Sequence, residues 1–249
     1  MSSGRVIALK GLWQGACRIM RHELLLTWRG YLLTFFYLAY GGFFTTVFLD
    51  GHLSGELSGR MIWALDLAYI GVIQLLGFLM DPTVFRYRKE DTYSRKLAEW
   101  QTLPIGVVHI IAGRLMLLIT VLFVNCLLLF GFQYVFLPDL REMLAPTGFA
   151  LYFLTWFGYG IAAGTTLVFM ELGFPGRVYF NYCVVNVVVM ILFAILLGWL
   201  DASVVFISIE AAADRDWRIA AASMAAAALA IGGFGALLHR RINQRSFWL

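Results

Sequence analysis

Apolar residues gather along the chain into six blocks separated by short polar connectors. They run from Tyr31 to Phe48, Met61 to Met80, Ile110 to Phe136, Gly148 to Met170, Phe180 to Leu200 and Ile219 to Leu238. A helix of about 20 apolar residues crosses a hydrocarbon core of about 30 Å. The pattern therefore predicts an all-α polytopic membrane protein with six transmembrane helices. Ahead of the first block, Leu9, Trp13, Ala16, Met20 and Leu24 recur at steps of three or four, with Lys10, Gln14, Arg18 and Arg21 in the same period beside them. That phase predicts an amphipathic helix over residues 5–29 lying along the membrane surface, as a topology anchor or as a transmitter of motion.

The longest polar connector joins the second and third blocks, from Asp81 to Pro104. Within it Tyr93, Leu97 and Trp100 stand at i, i+4 and i+7, one apolar stripe on an otherwise charged segment. The spacing predicts a short helix within residues 86–104, which Leu103-Pro104 terminates, because a proline disfavours helical backbone at the residue before it. Such a ridge either docks a partner protein or rests on lipid headgroups.

Composition agrees with the pattern. The 249 residues are 61% hydrophobic and 14% charged, against about 45–50% and about 25% in soluble domains. Residues 1–249 read as one membrane domain, with no stretch long enough for a second, soluble one. The early basic residues Arg5, Lys10, Arg18, Arg21 and Arg29 give no cleavable signal pattern, so the first span reads as a retained anchor. With the N-terminus in the cytoplasm, all of the 19 Lys and Arg fall inside except Arg60, Arg141, Arg215 and Arg218. The positive-inside rule then sets both termini in the cytoplasm, and the net charge of +4 reads as membrane topology, with no nucleic-acid partner. Cys17, Cys126 and Cys183 are scattered and have no histidine at metal spacing, so they read as packing residues, with no metal site.

An N-terminal surface helix, six spans, and a charged helix ending in Glu99-Trp-Gln-Thr-Leu-Pro-Ile105, followed by the basic Arg114, together resemble the permease subunit of a type-2 ABC exporter. The resemblance covers nearly the whole chain as architecture. It implies that residues 86–104 are the coupling helix, with Tyr93, Leu97, Glu99, Trp100, Leu103 and Pro104 contacting a separate ABC ATPase subunit. Two such ATPases, binding ATP and Mg, would work with two permease subunits, as a homodimer or with a paralogue, in a bacterial inner membrane. The chain itself carries no GxxxxGK[ST] phosphate loop and no cofactor, so it is not expected to be an enzyme alone. Export is what the family implies, and short outer connectors with apolar walls point to an amphipathic or lipid-like cargo (lipid, lipid-linked glycan, peptide or drug). It also implies that residues 201–217, with apolar Val204-Val-Phe-Ile207, form short re-entrant helices at the outer face; a plain loop is the alternative. Glu210-Ala-Ala-Ala superficially matches the ATPase-docking loop of ABC importers, but Asp216 stands where that pattern wants glycine.

Several polar residues fall inside apolar blocks. Asp66 lies about one turn inside the second, where a carboxylate is costly unless it pairs or reaches water, so it is either a structural or snorkelling group or part of a substrate path. Asn125, Asn181 and Asn186 read as hydrogen-bonding glue between helices. His109 and Arg114 open the third block as anchors or phosphate-reaching groups, and Glu171 and Arg177 bracket a short turn. Gly160-Ile-Ala-Ala-Gly164 and the Ala220–Ala230 face are helix-contact candidates, within one subunit or between two. Tryptophans 63, 100, 156, 199 and 217 fit interfacial belts. The rival functions are an intramembrane enzyme, for which no GxSG-plus-His or HExxH pattern is present, and an ion-coupled secondary transporter, which usually shows several buried ionisable groups or broken helices in a repeat.

Overall fold

The computed structural model describes residues 3–26, 28–57, 61–80 and 106–244, which are helical nearly throughout and contain no strand. Among the described residues nine helices follow in order: α1 (Ser3–Leu26), α2 (Trp28–Leu53), α3 (Ile62–Leu75), α4 (Val107–Phe136), α5 (Pro138–Met143), α6 (Pro146–Gly173), α7 (Gly176–Trp199), α8 (Val204–Ala213) and α9 (Trp217–Gln244). Among the described residues five segments are long and apolar enough to cross a membrane: Gly30–Leu53 within α2, and all of α4, α6, α7 and α9. In hydrocarbon every backbone N–H and C=O must pair inside its own segment. That requirement overrides local propensity in α7, where Val184-Val185 and Val187-Val188-Val189 would favour a strand in water.

The second expected span differs from its apolar block. The block extends to Met80, but α3 stops at Leu75 after 14 residues, about 21 Å at the helical rise and short of the bilayer core. The reason is tertiary. At the helix end Gly77 sits so close to α4 that an added Cβ would come 2.5 Å from Leu118 Cδ1. The carbonyls released there find donors on other helices: Asn125 Nδ2 donates to Leu76 O at 2.7 Å, and Thr34 Oγ1 donates to Phe78 O at 3.4 Å while accepting from Met80 N at 3.0 Å.

Contacts along the helices give their directions. Gly42 meets Leu129, and Thr45 meets Gln133, so α2 and α4 run the same way, with α7 parallel to them. The opposite direction is taken by α3, α6 and α9, as the pairs Gln74 with Asn186, Gly164 with Leu118 and Gly158 with Ser223 require. One end of the bundle therefore gathers the C-termini of α2 and α4 with the N-termini of α6, α8 and α9. At the other end lie α1 and the first half of α4. Each end has its own buried cluster, one around Tyr69, Phe130, Tyr152 and Trp156, the other around Ile110, Leu115, Val168 and Leu238.

Small residues make the closest approaches, and they do so within this chain. A Cβ on Gly158 would lie 2.8 Å from the Ser223 backbone, and Cβ atoms on Gly160 and Gly164 would meet Leu122 and Leu118 at 2.9 and 2.8 Å. The GxxxG motif thus seats α6 on α4, and the alanine face of α9 packs on α6. By contrast, only 6% of the α7 span is buried, and its valine and leucine face is open for lipid or protein.

The predicted helix at the N-terminus is present as α1, and it packs along α4. Gly15 lies against His109, Ile19 and the Ala16 carbonyl press on Gly113, and Thr120 Oγ1 reaches Met20 Sδ at 3.6 Å. Of the expected apolar stripe Ala16 is fully buried whereas Trp13 is 62% exposed.

Candidate functional site

The end of the bundle that carries α8 buries Thr45, Asp66, Gln133, Ser203 and Ser208. Asp66 on α3 has no exposed surface. Its Oδ1 accepts from Ser203 Oγ at 2.7 Å and from the Val205 backbone N–H at 3.1 Å. Ser203 is the N-cap of α8, and its hydroxyl accepts in turn from Phe206 N at 3.3 Å. A carboxylate across an interhelical contact thereby caps the first turn of a helix whose dipole favours negative charge there. The side chain, read from sequence as a structural or snorkelling group or part of a substrate path, is enclosed by protein, and Oδ2 has no hydrogen-bond partner.

Helix α8 turns one face into the bundle. Val205, Ser208, Ile209 and Ala212 are buried while Ile207 and Glu210 face outward. Ser208 Oγ accepts from Trp156 Nε1 at 3.1 Å and donates to Val205 O at 2.7 Å. Trp156, expected in an interfacial belt, is 4% exposed, with its ring 5.2 Å from that of Tyr69. Only Trp63, Trp199 and Trp217 of the described tryptophans on that list are exposed. Both turns flanking α8 place a non-glycine residue in left-handed backbone, Asp201 at φ 48° and Arg215 at φ 56°. Each closes the preceding helix through a reaching-back bond, Ala202 N to Leu197 O and Asp216 N to Ala211 O.

From α3 a second chain of hydrogen bonds runs inward. Tyr69 OH donates to Gln133 Oε1 at 3.0 Å, Gln133 Nε2 donates to Thr45 Oγ1 at 3.3 Å, and Thr45 donates to Gly42 O at 3.1 Å. Two further tyrosines donate to α3 carbonyls, Tyr37 to Gly71 O at 3.2 Å and Tyr159 to Ile70 O at 3.1 Å. Beneath α8 a cavity of about 340 Å³ is walled by Ile70, Trp156, Tyr159, Phe193 and Ser223, nearly all of it apolar surface.

At the opposite end Arg114 on α4 bridges two carboxylates. Its guanidinium donates to Glu23 of α1 at 2.9 Å and to Glu171 of α6 at 2.6 Å, and all three side chains are largely buried. Glu23 and Arg114 engage further groups as well. Nearby, Arg241 of α9 donates to Gly173 O at 2.8 Å and stacks 3.8 Å above the Phe174 ring.

Asn125 and Asn186 serve between helices as expected, the latter donating to Gln74 Oε1 at 3.1 Å, whereas Asn181 and Arg177 are exposed. His109 packs on Gly15 and its Nδ1 is unpartnered. The three cysteines are free, and no cluster of metal-ligating side chains occurs among the described residues. Tyr93, Leu97, Glu99, Trp100, Leu103 and Pro104 lie outside the described residues. Glu23, Thr34, His52 and Gln133 were not singled out from sequence. Thr34, Tyr37, Gly41 and Thr45 nevertheless recur at helical spacing along one face of α2, and Glu23 follows Ala16 and Met20 on one face of α1.

Fold and site together define a multi-pass helical membrane protein whose short apolar helices α3 and α8 are tied to each other by buried polar groups. Compared with family models, with curated proteins and with solved structures, the chain matches none of them.

Proposed function

We propose that this chain is the permease subunit of an ATP-driven type-2 ABC exporter in a bacterial inner membrane. It moves an amphipathic or lipid-like cargo outward and is powered by a separate ATPase that binds ATP and Mg. In this reading α3 and the residues after it up to Met80 form a sixth span, both termini are cytoplasmic, and the end carrying α8 faces outward. The supporting observation is the order of elements around α8. A ten-residue apolar helix, tucked into the bundle between the last two long helices and held by Asp66 of α3, suits a re-entrant element closing the outer end of a pathway. The polar connector from Asp81 to Pro104 supplies the docking ridge for the ATPase, and a second permease copy or paralogue completes the pathway.

The reading is tested on the full chain in native membranes. Reporter fusions at Leu249 are expected to be active only in the cytoplasm, and the purified chain is expected to hydrolyse ATP only together with a copurified ATPase. An external C-terminus, or robust hydrolysis by the single polypeptide, overturns it. An ion-coupled carrier is the second reading, favoured by the early end of α3 and by buried Asp66, both of which are features of such carriers. Transport that needs an ion gradient and continues without ATP would select it.

A further inference from the structure

Charge is divided unevenly between the two ends of the bundle. At the α8 end the described residues expose several carboxylates, among them Asp50, Asp139, Glu142, Glu210 and Asp214. At the α1 end they expose Arg18 and Arg21 of α1, Arg177 of α7, and Arg240 and Arg241 of α9. The acids described at that end, Glu23 and Glu171, are both buried against Arg114. Among the described residues, then, the outward surface there is cationic, with no exposed carboxylate to offset it. The connector from Asp81 to Pro104 does not reverse the balance, since its five Lys and Arg outnumber its four Asp and Glu.

Beside those arginines lies an apolar groove of about 330 Å³. Its walls are Leu24 of α1, Phe35 and Leu38 of α2, and Val121, Val124 and Leu128 of α4. Thr34, Asn125 and Thr120 also line it, but each already donates within the protein, to Phe78 O, Leu76 O and Met20 Sδ. Both α2 and α4 contain membrane-crossing segments, and Phe35, Val124 and Leu128 are exposed, so the groove opens sideways at the depth of lipid chains. Arg18, Arg21 and Leu24 follow at i, i+3 and i+6, a row along α1 that leads from exposed guanidiniums to the groove wall.

We propose that this end of the bundle holds an anionic glycerophospholipid, with one acyl chain in the groove between α2 and α4 and the phosphate headgroup on Arg18 and Arg21. The groove does not select by hydrophobicity, because lipid tails are as apolar as its walls; it positions the chain by packing. Selection comes from the guanidiniums. Their planar forks match phosphate oxygens, and basic groups at a membrane surface favour anionic headgroups. A zwitterionic headgroup brings its own cation to the same arginines and gains less. At the α8 end the exposed carboxylates repel the anionic lipid. The inference rests on the helical membrane fold and not on the permease reading.

The test places the full chain in nanodiscs of phosphatidylcholine and phosphatidylglycerol in equal amounts and counts the lipids it retains on release, by native mass spectrometry. Wild type is expected to keep one phosphatidylglycerol, preferred over phosphatidylcholine by about tenfold. Replacing the two exposed arginines together, Arg18→Gln with Arg21→Gln, should bring the preference close to one. The matching pair at the other end, Arg141→Gln with Arg218→Gln, should leave it unchanged. Val124→Trp fills the groove and should lower retention of either lipid, while excess soluble glycerol phosphate should displace nothing. Equal retention of the two lipids by wild type overturns the proposal, as does a preference that survives loss of Arg18 and Arg21 or falls with Arg141 and Arg218. Undiminished retention in Val124→Trp removes the groove from the site, and displacement by glycerol phosphate would make it a site for a free phosphate; either result also overturns the proposal.

Discussion

Buried carboxylates sit at both ends of the bundle, and the two ends hold them by different means. Glu23 and Glu171 are held by a guanidinium, Arg114, which joins three long helices, α1, α4 and α6. Asp66 is held by neutral donors, a serine hydroxyl and backbone amides, and it joins the two short helices, α3 and α8. An ion triad ties its elements through full charges in a dry environment, so removing one partner is costly for the others. A capped helix terminus spreads a smaller energy over several weak donors and tolerates rearrangement. The α1 end is thus built as a rigid joint, and the α8 end as one that can open.

Substitutions sharpen that contrast. The largest effect is expected for Arg114→Met, which takes the guanidinium away from two buried carboxylates and should destabilise the chain by about 3–5 kcal/mol, seen as a lower unfolding temperature in detergent. Should it unfold like wild type, the rigid-joint description fails. Next comes Asn125→Leu, which fits the space and leaves the Leu76 carbonyl without its 2.7 Å donor. A loss of about 1–3 kcal/mol is expected, read from denaturant midpoints, and a neutral outcome would mean that water replaces the amide.

For Asp66→Ala the expected loss is about 1–2 kcal/mol, confined to α8, with Asp66→Asn costing less because an acceptor remains. Exchange protection that falls equally throughout the bundle would contradict a local cap. Smallest is Arg215→Gly, which relieves left-handed backbone at φ 56°. Glycine tolerates that geometry but loses more chain entropy on folding, so a gain of about 0.5 kcal/mol or less is expected in thermal unfolding.

The long helices were legible because lipid imposes a length and a composition that sequence displays directly, as α4 and α7 illustrate. The position of α8 was legible as an apolar run between two polar turns, Val204 to Ile207. What sequence concealed were boundaries and partners fixed by distant residues. The early end of α3 depends on Asn125 and Thr34, neither of them near it in the chain. Ser203, which binds Asp66, stands 137 positions away. Trp156 looked interfacial because a buried indole N–H needs an acceptor, and Ser208, its acceptor, lies on another helix. The surface helix was read from its apolar stripe alone, so Glu23 passed as one more polar residue even though it faces α4.

That the chain is a permease half driven by a separate ATPase is tested most directly by cargo efflux from vesicles carrying the copurified complex, comparing wild type with Trp100→Ala and Leu97→Asp at equal membrane expression. Efflux should require ATP and be lost in both variants while the chain stays folded, because truncating a buried interface anchor costs about 2 kcal/mol or more, over tenfold in docking. Full ATP-driven efflux and an intact complex in both variants would contradict the assignment of residues 86–104 as the coupling helix, and efflux without ATP would contradict the permease reading itself.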